Sequence, residues 1–239
     1  MGTQGMDRRG AMAALALAGV GTAVGAPAAV GAVGAVGAGQ DEDWPTTAQQ
    51  ALRRLLRGNA RFAAGRARHR GQDVDAVHET AGGQHPYVIM LGCSDSRVPP
   101  EIVFDEGVGA VFDQRVAGGI VGPAVLGSIE FAVGEFAPPL LVVLGHERCG
   151  AVAATAEVVE HGGHAPEHVQ TIVDAIRPAV LAVRDEPGDL VENAVRENTR
   201  LVARRLVRRS GIIREAVQGG RLEVLAARYD LDTGRVRLL

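Results

Sequence analysis

The residues best suited to chemistry stand in two short stretches. One is Leu91-Gly92-Cys93-Ser94-Asp95-Ser96-Arg97-Val98-Pro99-Pro100, and the other is Gly145-His146-Glu147-Arg148-Cys149-Gly150. Together they hold both cysteines of the chain, and His146 lies three residues before Cys149. Two soft thiolates and an imidazole match a catalytic zinc site, in which three protein ligands leave a fourth position open. The same residues also suit a disulfide, an inert core pair, or a closed structural zinc with Asp95 as fourth ligand. Residue order favours zinc: Cys93-x-Asp95-x-Arg97 is followed by His146-x-x-Cys149, and each half begins just after an apolar run. Asp95 and Arg97 stand two apart, and a carboxylate beside a guanidinium is held ionised and oriented.

The apolar runs at 86–91 and 140–144 read as buried strands of a parallel sheet. Both stretches then sit at the carboxyl ends of strands, where open α/β sheets build their sites. Further strands are expected at 110–116 and 221–229, with a short edge strand running to Leu239. Helical periodicity marks 49–64, 124–137, 150–160, 167–183 and 190–209. Pro99-Pro100 bars a long helix after the first motif. Gly92 and Gly150 are expected to allow close backbone approach beside the ligands. The expected fold class is therefore α/β, an open, mainly parallel sheet of four to five strands flanked by helices.

Cys-Ser-Asp-Ser-Arg-Val-Pro-Pro-Glu from Cys93, followed about fifty residues on by Gly-His-x-x-Cys-Gly from Gly145, resembles the β-class carbonic anhydrases. The resemblance covers residues 51–236, from a helix containing Gly58-Asn59-Ala60-Arg61-Phe62 to Arg228-Tyr229-Asp230-Leu231-Asp232-Thr233-Gly234. It implies zinc on Cys93, His146 and Cys149, with hydroxide on the metal attacking carbon dioxide to give bicarbonate and a proton. It implies that Asp95 orients that hydroxide, is itself oriented by Arg97, and swings onto zinc in a closed state of some members. It implies that Gln84, nine residues before Cys93, donates a hydrogen bond to substrate. It also implies a homodimer or homotetramer. The family's Arg-Asn-Ala-Gly/Ala-Asn segment reads Arg115-Val116-Ala117-Gly118-Gly119 here, so both asparagines are missing, at Val116 and Gly119. Rival functions on the same zinc site are hydrolysis of carbon disulfide or carbonyl sulfide, and non-catalytic zinc binding or bicarbonate sensing.

Composition bounds the rest. A net charge of −3 gives no electrostatic case for nucleic acid. The chain has no lysine, which excludes a lysine nucleophile or proton shuttle. Residues 1–40 read as an export signal or low-complexity segment: Arg8-Arg9 precedes an apolar run rich in Ala and Gly, which suggests the twin-arginine route. That run is a poor spanning helix, so no stable membrane span is expected in the mature protein. Residues 41–239 form the expected single domain, 41–44 being a short acidic linker. Arg53, Arg54 and Arg57 are expected on a solvated helix face, and Arg196, Arg200, Arg204 and Arg208 on a solvated or subunit-facing stripe. His161, His164 and His168 read as incidental residues of a solvated loop, with a second metal site or proton relay as the sharper alternative.

Overall fold

The computed structural model describes residues 44–239, and the expected export segment lies outside them. Five strands form one sheet: β1 (Val88–Gly92), β2 (Val111–Arg115), β3 (Leu140–His146), β4 (Glu223–Tyr229) and β5 (Val236–Leu238). Their order is β2-β1-β3-β4-β5. The first four run parallel and β5 pairs antiparallel with β4. The expected α/β class and strand count hold, with one antiparallel edge strand.

The central strands are apolar on both faces because both faces are covered. Val88 and Met90 of β1, with Leu140, Val142 and Leu144 of β3, pack beneath Leu55, Val103 and Phe104. These come from α1 (Ala48–Ala63) and from α3 (Pro100–Val103) with its C-cap. Between them lies a short helix, α2 (Val74–Thr80). On the other face Ile89, Leu91, Leu141 and Val143 meet Ile129, Val202, Leu206 and Ile213. Those belong to α4 (Pro123–Glu135), α7 (Leu190–Arg209) and α8 (Gly211–Gln218). A third cluster joins Cys93 and Cys149 to Val152 of α5 (Gly150–His161), Ile176 and Val180 of α6 (Val169–Val183), and Val195 of α7.

Strand order places the site. After β1 the chain turns towards β2; after β3 it proceeds towards β4, on the opposite side. Adjacent strands whose connections leave in opposite directions open a crevice between their carboxyl ends. Gly92 pairs in register with Leu144, so Cys93 emerges beside Gly145 and His146.

Two expectations change. Arg54 is not on a solvated face: it pairs with the buried Glu106 at 2.8 Å and stacks over Trp44 and Tyr87. Trp44, expected in a linker, is thereby anchored edge-on to Tyr87. Helix α8 and the one-turn helix α3 were not legible as separate elements. Among the described residues no helix is long and apolar enough to cross a membrane.

Candidate metal centre

Cys93 follows β1, His146 ends β3, and Cys149 is the N-cap of α5. Their ligand atoms lie within 4.8 Å of one another, and all three residues are buried. Both cysteines are free thiols, so the disulfide reading does not apply. His146 Nδ1 lies 2.9 Å from the Glu147 carbonyl, which can only accept, so Nδ1 carries the hydrogen and Nε2 a lone pair. Nε2 is buried and has no hydrogen-bond partner. A buried lone pair aimed at two thiols fits a metal better than any other occupant, and a carbonyl fixing the tautomer is the usual support for such a ligand.

Charge in the site agrees. The Cys93 thiol is pulled well down, chiefly by its contact with Cys149 and also by His146 and the Gly118 N–H, against burial. Cys149 is pushed up by the Cys93 thiolate and by burial. The N–H groups of Ala151 and Val152 at the start of α5 act in the expected direction on Cys149 but are outweighed. Burial works against protonation of His146, yet contact with Cys93, the Glu147 carbonyl and Asp95 outweighs it and raises its pKa.

Asp95 stands at the rim, with Oδ2 3.9 Å from His146 Nε2. Arg97 grips it through Nε at 2.9 Å, Nη2 at 2.7 Å and its backbone N–H at 2.9 Å. That grip holds the Asp95 carboxyl well below the usual carboxylate range. Beneath the turn, Arg115 of β2 donates to the Cys93 carbonyl at 3.0 Å and to the Asp95 carbonyl. The second motif is tied down as firmly. The Glu147 N–H donates to the Tyr229 carbonyl at 3.0 Å, and its carboxylate accepts from Leu231 N–H at 3.0 Å. Buried Arg228 joins Glu147 at 3.1 Å, Glu192 at 3.1 Å and Asp230 at 3.1 Å. Arg148, at φ +49°, turns outward to Asp232 at 2.7 Å.

Sequence reasoning gave no role to Arg115, which ends the strand Val-Phe-Asp-Gln-Arg, or to Arg228, the penultimate residue of Glu223–Tyr229. It also misplaced the tight glycines. A Cβ on Gly150 would meet nothing and one on Gly92 only ordinary contact, so neither is crowded. The crowded positions at the site are Gly145, pressed against Thr199, and Gly118, where φ is +71° and a Cβ would lie 2.6 Å from Ile176 Cδ1.

Gln84 is the one predicted site residue that the fold keeps away. It precedes β1 and is exposed, whereas Cys93 follows β1. Five strand residues separate the two ends by roughly 17 Å. Within one chain Gln84 therefore cannot reach substrate at the metal centre. His161, His164 and His168 are exposed, and His161 lies 3.4 Å from Glu157.

Fold and site together define a class: an α/β domain with a candidate metal centre at its topological switch point. Residues 88–236 match the family model described as "Carbonic anhydrase". "Carbonic anhydrase 2" of Mycobacterium tuberculosis is 40% identical over 193 residues, covering 81% of this chain and 93% of that protein. A carbonic anhydrase of Mycolicibacterium smegmatis is 37% identical over 194 residues, with the same coverage of 81% and 93%. Among solved structures, a tetrameric β-carbonic anhydrase of Sordaria macrospora superposes with a TM-score of 0.64 at 25% identity, over 79% of this chain and 96% of that one. The Coccomyxa β-carbonic anhydrase in complex with acetazolamide gives a TM-score of 0.61 at 26% identity, over 79% and 86%. The chain belongs to the β-class carbonic anhydrase family. It is an enzyme of that zinc-dependent family, whose activity is carbon dioxide hydration.

Proposed function

We propose that this chain interconverts carbon dioxide with bicarbonate and a proton at a zinc ion held by Cys93, His146 and Cys149. The observation that carries the reading is the buried Nε2 of His146, which has no hydrogen-bond partner and lies within 4.8 Å of two free thiols. A zinc ion held there lowers the pKa of water towards neutrality. The chain's residues do the rest. Cys93 and Cys149 supply two negative charges in a buried wall. Asp95, kept ionised by Arg97, would accept a hydrogen bond from the attacking O–H at the rim and so orient that oxygen's lone pair towards substrate. Arg115 fixes the turn that carries both Cys93 and Asp95.

The working unit is a homo-oligomer, dimer or tetramer. β2 is an edge strand of the sheet, and beside it Phe112, Phe131 and Phe136 form an aromatic cluster with Phe131 49% exposed. An apolar edge of that kind suits a second copy. A second copy is also what would bring Gln84 to a metal centre. The twin-arginine export route remains a proposal resting on Arg8-Arg9 and the run that follows, and N-terminal sequencing of the mature protein tests it.

Zinc content and stopped-flow carbon dioxide hydration on one preparation test the function. One zinc per chain with activity is expected, and Cys149→Ser removes both. Zinc without hydration would overturn the substrate assignment, and carbonyl sulfide would then be assayed on the same sample.

A further inference from the structure

Asn198 lies on the buried face of α7, 5% exposed, between Val195 and Val202. A polar amide in the middle of a core-facing stripe needs a partner. Its Nδ2 donates to the Gly118 carbonyl at 3.0 Å, and that carbonyl can only accept, which fixes the orientation of the amide. The N–H of the same glycine donates to Cys93 Sγ at 3.3 Å. Gly118 sits in a 3-10 turn, Ala117–Gly119, at φ +71°. A single residue with a left-handed backbone thus receives a hydrogen bond from α7 on one side and delivers one to a candidate metal ligand on the other.

The surroundings make the link specific. Asn198 lines the same small cavity, about 20 Å³, as Cys93, His146 and Cys149. Thr199, its polar neighbour in that wall, uses its hydroxyl on the Val195 carbonyl at 2.7 Å. Among the described residues, the hydrogen-bonded link from α7 to the thiolate therefore runs through Asn198 and Gly118.

We propose that Asn198 is a positioning residue that sets the Cys93 thiolate through Gly118, and thereby the strength of metal binding. This rests on the reading of Cys93, His146 and Cys149 as the zinc ligands. An N–H aimed at a thiolate sulfur draws charge from it and fixes its direction, so losing that support weakens the metal by roughly 10-fold or more. A purely structural role, pinning the turn to α7, predicts lost stability and an unchanged metal site.

The test compares full-length wild type, Asn198→Leu and Val202→Ala, the last removing core volume from α7 without touching the turn. Zinc affinity is measured by competition with a chromophoric chelator, and the thiolate-to-cobalt charge-transfer band is recorded on cobalt-substituted protein. The expected result is zinc binding weakened about 10-fold with a shifted band in Asn198→Leu, and neither change in Val202→Ala. Wild-type affinity and an unshifted band in Asn198→Leu would overturn the proposal. Should the leucine variant not fold, Asn198→Ala is read in the same way. Wild type that takes up neither metal would overturn the zinc reading itself, and this inference with it.

Discussion

The division of labour at the metal centre follows from exposure. Cys93, His146 and Cys149 are buried, whereas Asp95 and Arg97 stand at the rim with 16% and 53% of their side chains exposed. Buried groups suit binding, and a rim carboxylate suits contact with an entering substrate. The Arg97 grip keeps Asp95 a carboxylate throughout the neutral range. Asp95→Asn keeps the shape and loses the charge. It is expected to lower kcat/KM by about 100-fold with zinc content unchanged, a loss typical of a misplaced proton-handling group. Stopped-flow hydration beside metal analysis checks this, and an equal loss of zinc would instead make Asp95 a ligand.

Among the elements, the 3-10 turn at Ala117–Gly119 is the most constrained. Gly118 adopts φ +71°, and an added Cβ would press on Ile176 Cδ1 at 2.6 Å, in the cluster beneath the site. Gly118→Ala is expected to cost about 1–3 kcal/mol from backbone strain and overpacking. It should also weaken zinc binding, because the Gly118 N–H leaves Cys93. Chemical denaturation paired with a chelator titration separates the two effects. A second joint lies at the far edge of the sheet. Asn59 of α1 donates to the carbonyls of Val103 at 3.1 Å and Gly234 at 2.8 Å, and accepts from Val236 N–H at 2.8 Å. Asn59→Ala strands two buried backbone groups and one half-buried one, and is expected to cost about 2–4 kcal/mol. Thermal unfolding reads that cost, with hydration by the folded fraction retained because the site lies elsewhere.

For the molecule as a whole, the β2 edge carries a cost that depends on pH. Burial, with the Glu101 carboxylate nearby, pushes the Asp113 carboxyl up to about 6, and its Oδ1 has no hydrogen-bond partner. A carboxyl raised in the folded state destabilises the fold once the unfolded chain ionises. The penalty is absent at acid pH, grows from about pH 4 and is complete above about pH 6. After allowance for solvent screening of a half-exposed group it comes to about 1 kcal/mol. Asp113→Asn is therefore expected to raise Tm at about pH 7.5 and much less at about pH 4.5. Equal shifts at the two values would show that charge is not the cause.

The sequence by itself determined the candidate ligand set, most of the order of elements and the family. These are local properties: a residue type at fixed spacing, an apolar run of strand length, a helical period broken by Gly or Pro. Cys93 after one buried run and His146 after another was enough to place a candidate site at the carboxyl ends of two strands. Only the tertiary structure decided what supports that centre. Spacing cannot tell that Gln84, nine residues before Cys93, stands at the opposite end of β1 from it, because a strand carries its two ends apart. Nor can it tell that, of the glycines at the site, Gly118 and Gly145 are crowded while Gly92 and Gly150 have room, because that crowding comes from side chains on other helices. Arg115, Arg228 and Asn198 act through contacts between distant parts of the chain, Asn198 and Gly118 being 80 residues apart. Local pattern records which groups can hold a metal; the packing of helices on the sheet decides how those groups are held.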